Sequence, residues 1–405
     1  MRSTRRKARV SDREAASLAR VTNSGAPLKV AIAHDYLTQR GGAERVVLAM
    51  ARAFPGATIH TTLYDRAETF PEYADLDVRT SWLNRSRFFR KNHRAALPLL
   101  PFAASSLDID ADVVLVSSSG WAHGVRTRGR KLVYCYTPAR WLHQSSRYLG
   151  DHPGFLESLI LFVLRPFLKL WDRRAARDAS AYIAISNLVQ DRIHAAYGLD
   201  STVLPAPWPD TRSHASEPMA DVAGWLGDAP YELCVSRLLP YKNVRSVVAA
   251  YADEPARRLI VVGRGPEEDA LRELAGDNVL FLQNISDGQL AWLYRGCTAL
   301  IAISYEDFGL TPLEAASFGR PSVVLRWGGF LETQVEGVTA VFVDQPTPEA
   351  VRAGLAEMDA ADWDADAIRA HADRYGEEVF IGALREAVAA VGAEGVTQPS
   401  ADGAA

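Results

Sequence analysis

Cysteine is scarce in this 405-residue chain: Cys135, Cys234 and Cys297 stand far apart and odd in number. They form neither a disulfide framework nor a CxxC pair, which favours a reducing compartment. Long apolar runs are missing as well. No segment reaches the ~20 apolar residues of a membrane-spanning helix. The nearest, Phe155–Trp171, is interrupted by Glu157, Arg165, Pro166 and Lys169. The basic opening MRSTRRKARVSDR has no apolar stretch behind it, so it does not read as a secretory signal. Residues 1–27 are expected to form a solvated tail, with a basic arm touching anionic lipid as the alternative. Charge of one sign is not in excess: Lys+Arg 45 against Asp+Glu 49 leaves a net charge of -4. That balance argues against a general nucleic-acid binder. Internal repeats and long low-complexity segments are also lacking.

What is present is apolar material, 48% of residues, which offsets the conformational entropy of folding and excludes disorder as the main state. The length suits two or three domains. From Leu28 the chain reads as strand, glycine turn (Gly41-Gly42) and helix, the start of a βαβ unit. Further apolar runs at 57–64, 111–119, 131–137, 181–186 and 201–207 alternate with helical patterns, including 166–178 and 187–197. Strands without polar alternation indicate a parallel sheet covered on both faces. A polar stretch from Trp208 to Pro230 then reads as a linker. Beyond it strands at 231–238, 257–263, 278–283, 298–304, 321–326 and 340–344 alternate with helices at 243–252, 266–275, 286–295 and 312–318. The fold class is therefore α/β, with two doubly wound parallel-sheet domains over 28–205 and 231–375, joined by 206–230. A helix at 376–392 closes the chain, and 393–405 is expected to fray.

Ligands of parallel sheets bind beyond the carboxyl ends of the strands, and three such ends carry unusual polar groups. In SRLLPYKN, Arg237 and Lys242 flank a short turn and suit a diphosphate, Arg as a fork and Lys as a point charge. By themselves they could equally be surface charges. In YEDFGLTPLEAASFG, Glu306 stands in a loop and Glu314 in the first turn of a helix that Pro312 is expected to open. The amides of Phe308, Gly309 and Leu310 lead into that helix start, an anion site. Two carboxylates beside an anion site fit hydroxyl groups of sugar and ribose next to phosphate. Gly263 and Gly265 of VVGRGPEED read as turn-makers first and ligand neighbours second.

Over 28–390 the chain resembles the family 4 retaining glycosyltransferases of two-domain GT-B fold. The resemblance rests on the E-x7-E element Glu306-DFGLTPL-Glu314, on SRLxPYK with Arg237 and Lys242, on Gly41-Gly42 and on SSSGWAHGV at 117–125. The passage EDFGLTPLEAASFGRPSVV is similar to the subset that builds bacterial cell-surface polysaccharides and lipid-linked oligosaccharides, several of them mannosyltransferases. The resemblance implies two domains facing a cleft, a last helix crossing back to the first domain, and hinges at 205–230 and near 376. It implies a nucleotide-diphosphate sugar as donor, GDP-mannose favoured, with no cofactor and no metal in the site, and a glycan or lipid-linked acceptor. Arg237 and Lys242 would hold the diphosphate, Glu314 the ribose, and Glu306 the transferred sugar. The amides of Phe308, Gly309 and Leu310 would support sugar and phosphate. Gly41 and Gly42 would let the loop approach the diphosphate, and the base would lie near Ile285. The Asp-x-Asp pairs Asp75/Asp77, Asp108/Asp110 and Asp362/Asp364 read as surface acids.

Many relatives carry a histidine in a YCHTP segment near the donor sugar, where this chain has Tyr136. A phenol with a reference pKa of ~10 is a poor proton acceptor at neutral pH. Retention in this family is attributed to the leaving phosphate acting as base, so Tyr136 need not abolish transfer. His123 and His143 lie in nearby segments as replacements or as structural histidines, and His123 joins Glu306, Lys242, Arg237 and Tyr136 as a catalytic candidate. The segment 85–94 holds Arg85, Arg87, Phe88, Phe89, Arg90, Lys91 and Arg94 without an acid, a basic-aromatic patch suited to anionic headgroups. These features together point to a cytoplasmic enzyme at the inner face of the membrane. The alternatives are a donor-binding protein of the same fold without turnover and a nucleotide-sugar epimerase.

Overall fold

A computed structural model describes residues 28–143 and 155–394; the tails expected at 1–27 and over nearly all of 393–405 lie outside the described residues. The first unit runs through β1 (Val30–His34), β2 (Ile59–Thr61), β3 (Val78–Thr80), β4 (Asp108–Ile109), β5 (Val113–Ser118), β6 (Arg126–Thr127), β7 (Arg130–Cys135), β8 (Ala181–Ala184) and β9 (Thr202–Val203). Seven of these strands make one parallel sheet in the order β3-β2-β1-β5-β7-β8-β9, while β4 and β6 pair with each other. The second unit is a parallel sheet in the order β12-β11-β10-β13-β14-β15. Its strands are β10 (Tyr231–Val235), β11 (Arg258–Val262), β12 (Val279–Leu282), β13 (Leu300–Ala302), β14 (Ser322–Leu325) and β15 (Ala340–Val343). Both orders reverse direction beside the first strand, β1 or β10, which opens a crevice at the strand ends.

The central strands are unbroken Val/Ile/Leu runs because both their faces are covered. β5 is buried at every residue, and β1 and β11 at all but the first. The short strands β3, β4 and β6 lack such a run, and they were not anticipated from the sequence. The segment 206–230 is more than a tether. It contains the helix Ala220–Leu226, whose Val222 and Leu226 are buried in the second domain's core. The helix expected at 166–178 begins earlier, at Phe155, and runs through Pro166 to Arg177.

The last helix, Glu377–Glu394, crosses back as expected. Its Phe380, Leu384, Val388 and Val391 join the first domain's core, and Phe380 meets Tyr134 edge-on at 5.6 Å. Arg52 bonds Glu377 at 2.6 Å and Arg385 donates to the Ala53 carbonyl at 2.9 Å. Trp208 Nε1 donates to the Ala372 carbonyl at 2.8 Å, so the two crossings between domains touch each other. The loops that carry Gly41-Gly42, Arg237, Lys242, Ile285 and Glu306 open on the space between the two sheets.

Candidate functional site

The carboxyl ends of the two sheets face a cleft of about 1900 Å³. It is larger than the roughly 300–1,000 Å³ of a typical small-ligand pocket. From the second domain Arg237, Lys242, Ile285, Glu306, Phe308, Gly309, Leu310 and Glu314 line it, and from the first Gly41, Gly42 and Tyr136 do so. The sequence motifs thus meet in one place.

Each wall has a local cause. After β10 the chain passes exposed Arg237 into a short 3-10 turn, Pro240–Lys242, which ends at Asn243 in left-handed geometry. The turn swings Lys242 inward against Glu306, with which it makes an ion pair. Arg237 Nη2 donates to the Tyr241 hydroxyl at 3.1 Å. Burial, then the positive charges of Arg237 and Arg140, push the Lys242 ammonium down to about 7. The negative charge of Asp307 pulls the other way. Gly263 and Gly265 allow the next loop to lie on this one: a Cβ at Gly263 would stand 1.8 Å from the Ser236 carbonyl oxygen.

The helix after β13 starts earlier than expected. It runs Leu310–Ser317 behind Gly309, so Pro312 is its third residue and Glu314 lies in its second turn. Gly309 has φ 93°, and a Cβ there would meet the Phe330 ring at 2.5 Å, which forces the turn and sets the helix start. The first-turn amides have no intrahelical acceptor and open on the cleft. Glu314 is buried, and the Tyr294 hydroxyl donates to its Oε2 at 3.1 Å. Burial lifts its carboxyl to about 7, against the pull of Arg45 and the Tyr294 bond.

On the first-domain side Asp35, just past β1, is a buried hub that the sequence did not reveal. Its carboxylate accepts from the amides of Ser119 (2.6 Å), Trp121 (3.0 Å) and Ala122 (2.7 Å), and from the Ser119 hydroxyl (2.9 Å). It thereby folds SSSGWAHGV into one tight turn. Other contributors were also missed. Arg45 reaches across the cleft to Asp287 at 2.7 Å, and Asp307 is held by Arg140 at 2.7 Å and Arg192 at 2.5 Å. Glu332 caps the first-domain helix Asn187–Tyr197, accepting from the amides of Asn187 (2.8 Å) and Leu188 (3.1 Å). These pairs hold the domains close enough that a Cβ on Gly42 would stand 2.9 Å from Leu310 Cδ1.

Two expectations need correction. His123 does not reach the cleft. It is 3% exposed, packs on Trp171 and places Nε2 3.2 Å from Asp172 Oδ1. His143 shares that carboxylate at 2.9 Å. Burial alone would raise Asp172, but hydrogen bonds from the two imidazoles hold it below the ordinary carboxylate range. Both histidines hold Asp172, and neither lines the cleft. The basic patch divides: Arg85, Arg87, Phe88 and Lys91 are exposed, whereas Phe89 packs into a core and Arg90 donates to the Asn84 carbonyl. The Arg94 side chain lies outside the described residues. The acids Asp75, Asp77, Asp108, Asp110, Asp362 and Asp364 are all exposed, and among the described residues no cluster of His, Cys, Asp and Glu is placed to hold a metal.

Residues 40–207 match the family described as Glycosyltransferase Family 4, and residues 218–373 the family described as Glycosyl transferases group 1. The GDP-mannose-dependent alpha-(1-6)-phosphatidylinositol monomannoside mannosyltransferase of Mycolicibacterium smegmatis is 28% identical over 213 residues, 46% of this chain and 54% of that protein. The D-inositol 3-phosphate glycosyltransferase of Segniliparus rotundus is 33% identical over 141 residues, 31% of each chain. The match thus spans about half or less of these curated relatives. Among solved structures, Anabaena HepE in complex with UDP-glucose superposes with a TM-score of 0.65 at 17% identity, covering 89% of this chain and 100% of that one. WaaG, a glycosyltransferase involved in lipopolysaccharide biosynthesis, gives a TM-score of 0.59 at 16% identity, covering 89% and 99%. With both family matches in order along the chain, and with two facing parallel sheets in common with those structures, the protein belongs to the family 4 glycosyltransferases of GT-B fold.

Proposed function

We propose that the chain moves a hexose, mannose favoured, from a nucleotide-diphosphate sugar to a glycan or lipid-linked acceptor of the cell envelope, with retention. The observation that carries this reading is the meeting of Lys242, Arg237, Glu306 and Glu314 around the first-turn amides of Leu310–Ser317 in one cleft. Cations and amides there suit a diphosphate, and the two carboxylates suit hydroxyl groups. The GDP-mannose dependence of the mycobacterial relative supports GDP-mannose as the donor.

In this reading the bond from the sugar's anomeric carbon to the diphosphate oxygen breaks. A bond from that carbon to an acceptor oxygen forms on the same face, and the acceptor proton passes to the departing phosphate. Arg237 and Lys242 offset the charge that grows on the leaving group, in a preorganised site. Glu306 holds Lys242 in place and accepts from the sugar; Glu314 accepts from ribose. A thermal-shift panel of GDP, UDP, ADP and their hexose conjugates tests the assignment. At 100 times its dissociation constant a ligand adds about 2.7 kcal/mol. GDP-mannose should give the largest shift, and no shift with any nucleotide would contradict the reading.

The acceptor side supports contact with an anionic lipid surface. Trp82, Phe88, Phe102, Phe167 and Leu170 are exposed, each by 48% or more, on the first domain, which also presents Arg85, Arg87 and Lys91. Each basic group near such a surface is worth about 1 kcal/mol. The protein should therefore sediment with phosphatidylglycerol vesicles at low salt, and Phe88→Ser with Arg87→Glu should release it. Protein left in the supernatant with those vesicles would refute the membrane contact.

A further inference from the structure

Behind Tyr136 lies a row of polar groups that neither the motifs nor the family comparisons assign. His34 at the end of β1 is 3% exposed, and Glu44 in the first turn of the helix Gly42–Ala53 is 2% exposed. His34 Nε2 faces Glu44 Oε1 at 4.0 Å. The other nitrogen, Nδ1, lies 3.0 Å from Ser117 Oγ and 3.2 Å from the Ser117 carbonyl oxygen. Ser117 Oγ in turn lies 3.0 Å from the Tyr136 hydroxyl, and that hydroxyl donates to the Ala43 carbonyl at 3.3 Å.

Hydrogen positions follow from these partners. A carbonyl oxygen accepts only, so Nδ1 carries a proton where it meets the Ser117 carbonyl, and the Glu44 carboxylate, 4.0 Å from Nε2, favours the charged form of the ring. Ser117 Oγ receives the Nδ1 proton, which turns its own hydrogen toward Tyr136. The Tyr136 hydrogen is then left to point at Ala43 or into the cleft. The row thus runs from His34 through Ser117 to Tyr136, whose hydrogen rests on the Ala43 carbonyl at the cleft wall. We propose that His34, acting through Ser117, makes the Tyr136 hydroxyl a charge-polarised hydrogen-bond donor to an oxygen of the donor diphosphate, and that His34 and Ser117 are positioning residues for transfer.

Two features agree. Burial would lower the His34 imidazolium, but Glu44, Asp35 and the Ser117 carbonyl hold it above its ordinary value. Burial pushes the Tyr136 phenol up, so it remains a donor throughout the neutral range. Ala43, the phenol's resting partner, follows Gly41-Gly42, the loop expected to approach the diphosphate. The row thus ends beside the place where negative charge would grow.

The inference rests on the transferase reading, and a double-mutant cycle separates the two. GDP release from GDP-mannose is measured for the wild type, Ser117→Ala, Tyr136→Phe and the double variant, with the nucleotide thermal shift as a check on the donor site. Tyr136→Phe should lower kcat by roughly 10²-fold, the scale for one donor to a developing oxyanion, with little change in KM. Ser117→Ala should lower it in the same direction, and the double variant should be no slower than Tyr136→Phe alone. Should Ser117→Ala fail to fold, His34→Gln takes its place with the same non-additivity. Losses that multiply, or a Ser117→Ala enzyme as fast as wild type, overturn the inference while leaving the transferase reading intact. A wild type that binds no nucleotide and releases no GDP removes both.

Discussion

Lys242→Ala should lower turnover by about 10²- to 10³-fold, the cost of losing one preorganised donor to developing charge. Nucleotide affinity should fall much less, because Arg237 and the amides at the start of Leu310–Ser317 remain. The ion pair with Glu306 adds a structural cost, since removing Lys242 leaves a half-buried carboxylate without its partner. Glu306→Gln separates the two contributions. It removes the unpaired charge, so a Lys242→Ala, Glu306→Gln variant should regain thermal stability without regaining rate. Steady-state kinetics with GDP-mannose, alongside melting curves of the three variants, make the comparison. A Lys242→Ala enzyme within threefold of wild type would remove Lys242 from the mechanism.

The second large effect concerns Glu314 and pH. Its carboxyl stands at about 7 because burial penalises the charged form. The ionised carboxylate is the stronger acceptor for ribose hydroxyl groups, so binding there favours deprotonation. Affinity should therefore rise with pH up to about 7 and level off above, losing up to about tenfold per pH unit on the acid side. Glu314→Gln should bind nucleotide more weakly at pH 8, by about 1.5–3 kcal/mol for each charge-assisted hydrogen bond lost, and should show a flat profile. Isothermal titration of GDP from pH 5.5 to 8.5 reads both. A wild-type profile as flat as that of the variant would show that Glu314 does not receive the ribose.

The second domain was the more legible in the sequence, for a physical reason. Its six strands are mostly apolar runs set off by turn residues, and the candidate residues Arg237, Lys242, Glu306 and Glu314 follow strand ends. The first domain's working groups are not marked in this way. Asp35, His34 and Glu44 gain their roles from partners on other elements, and the bonds from Asp35 span more than eighty residues. Nothing in a local window announces such a contact. His123 shows the converse failure: it sits in the SSSGWAHGV motif, yet Asp35 folds that segment so that its imidazole turns inward to Asp172. The helix start at Leu310 rather than Pro312 was set by the Phe330 ring beside Gly309, a tertiary constraint that local signals do not contain.

The cross-cleft pairs explain how two separately folded sheets form one site. Arg45 with Asp287, and Arg140 and Arg192 with Asp307, join groups that carry charge on opposite walls. Asp307 lies next to Glu306, so domain approach and the placement of the Lys242 ion pair are mechanically linked. Glu332, on the helix Phe330–Thr333, adds the cap on Asn187–Tyr197, and Phe330 is the ring that shapes Gly309. One short segment thus couples the interdomain contact to the start of the helix Leu310–Ser317.

In the proposed reaction this cleft breaks the bond between a hexose and a nucleotide diphosphate while keeping the anomeric configuration. Proton NMR of the purified protein with GDP-mannose and a membrane-lipid extract tests it most directly, by following GDP and the anomeric signal of the new product. GDP formed together with an α-linked mannoside is the predicted result. Product of inverted configuration, or intact GDP-mannose after prolonged incubation with protein that binds it, would contradict the account.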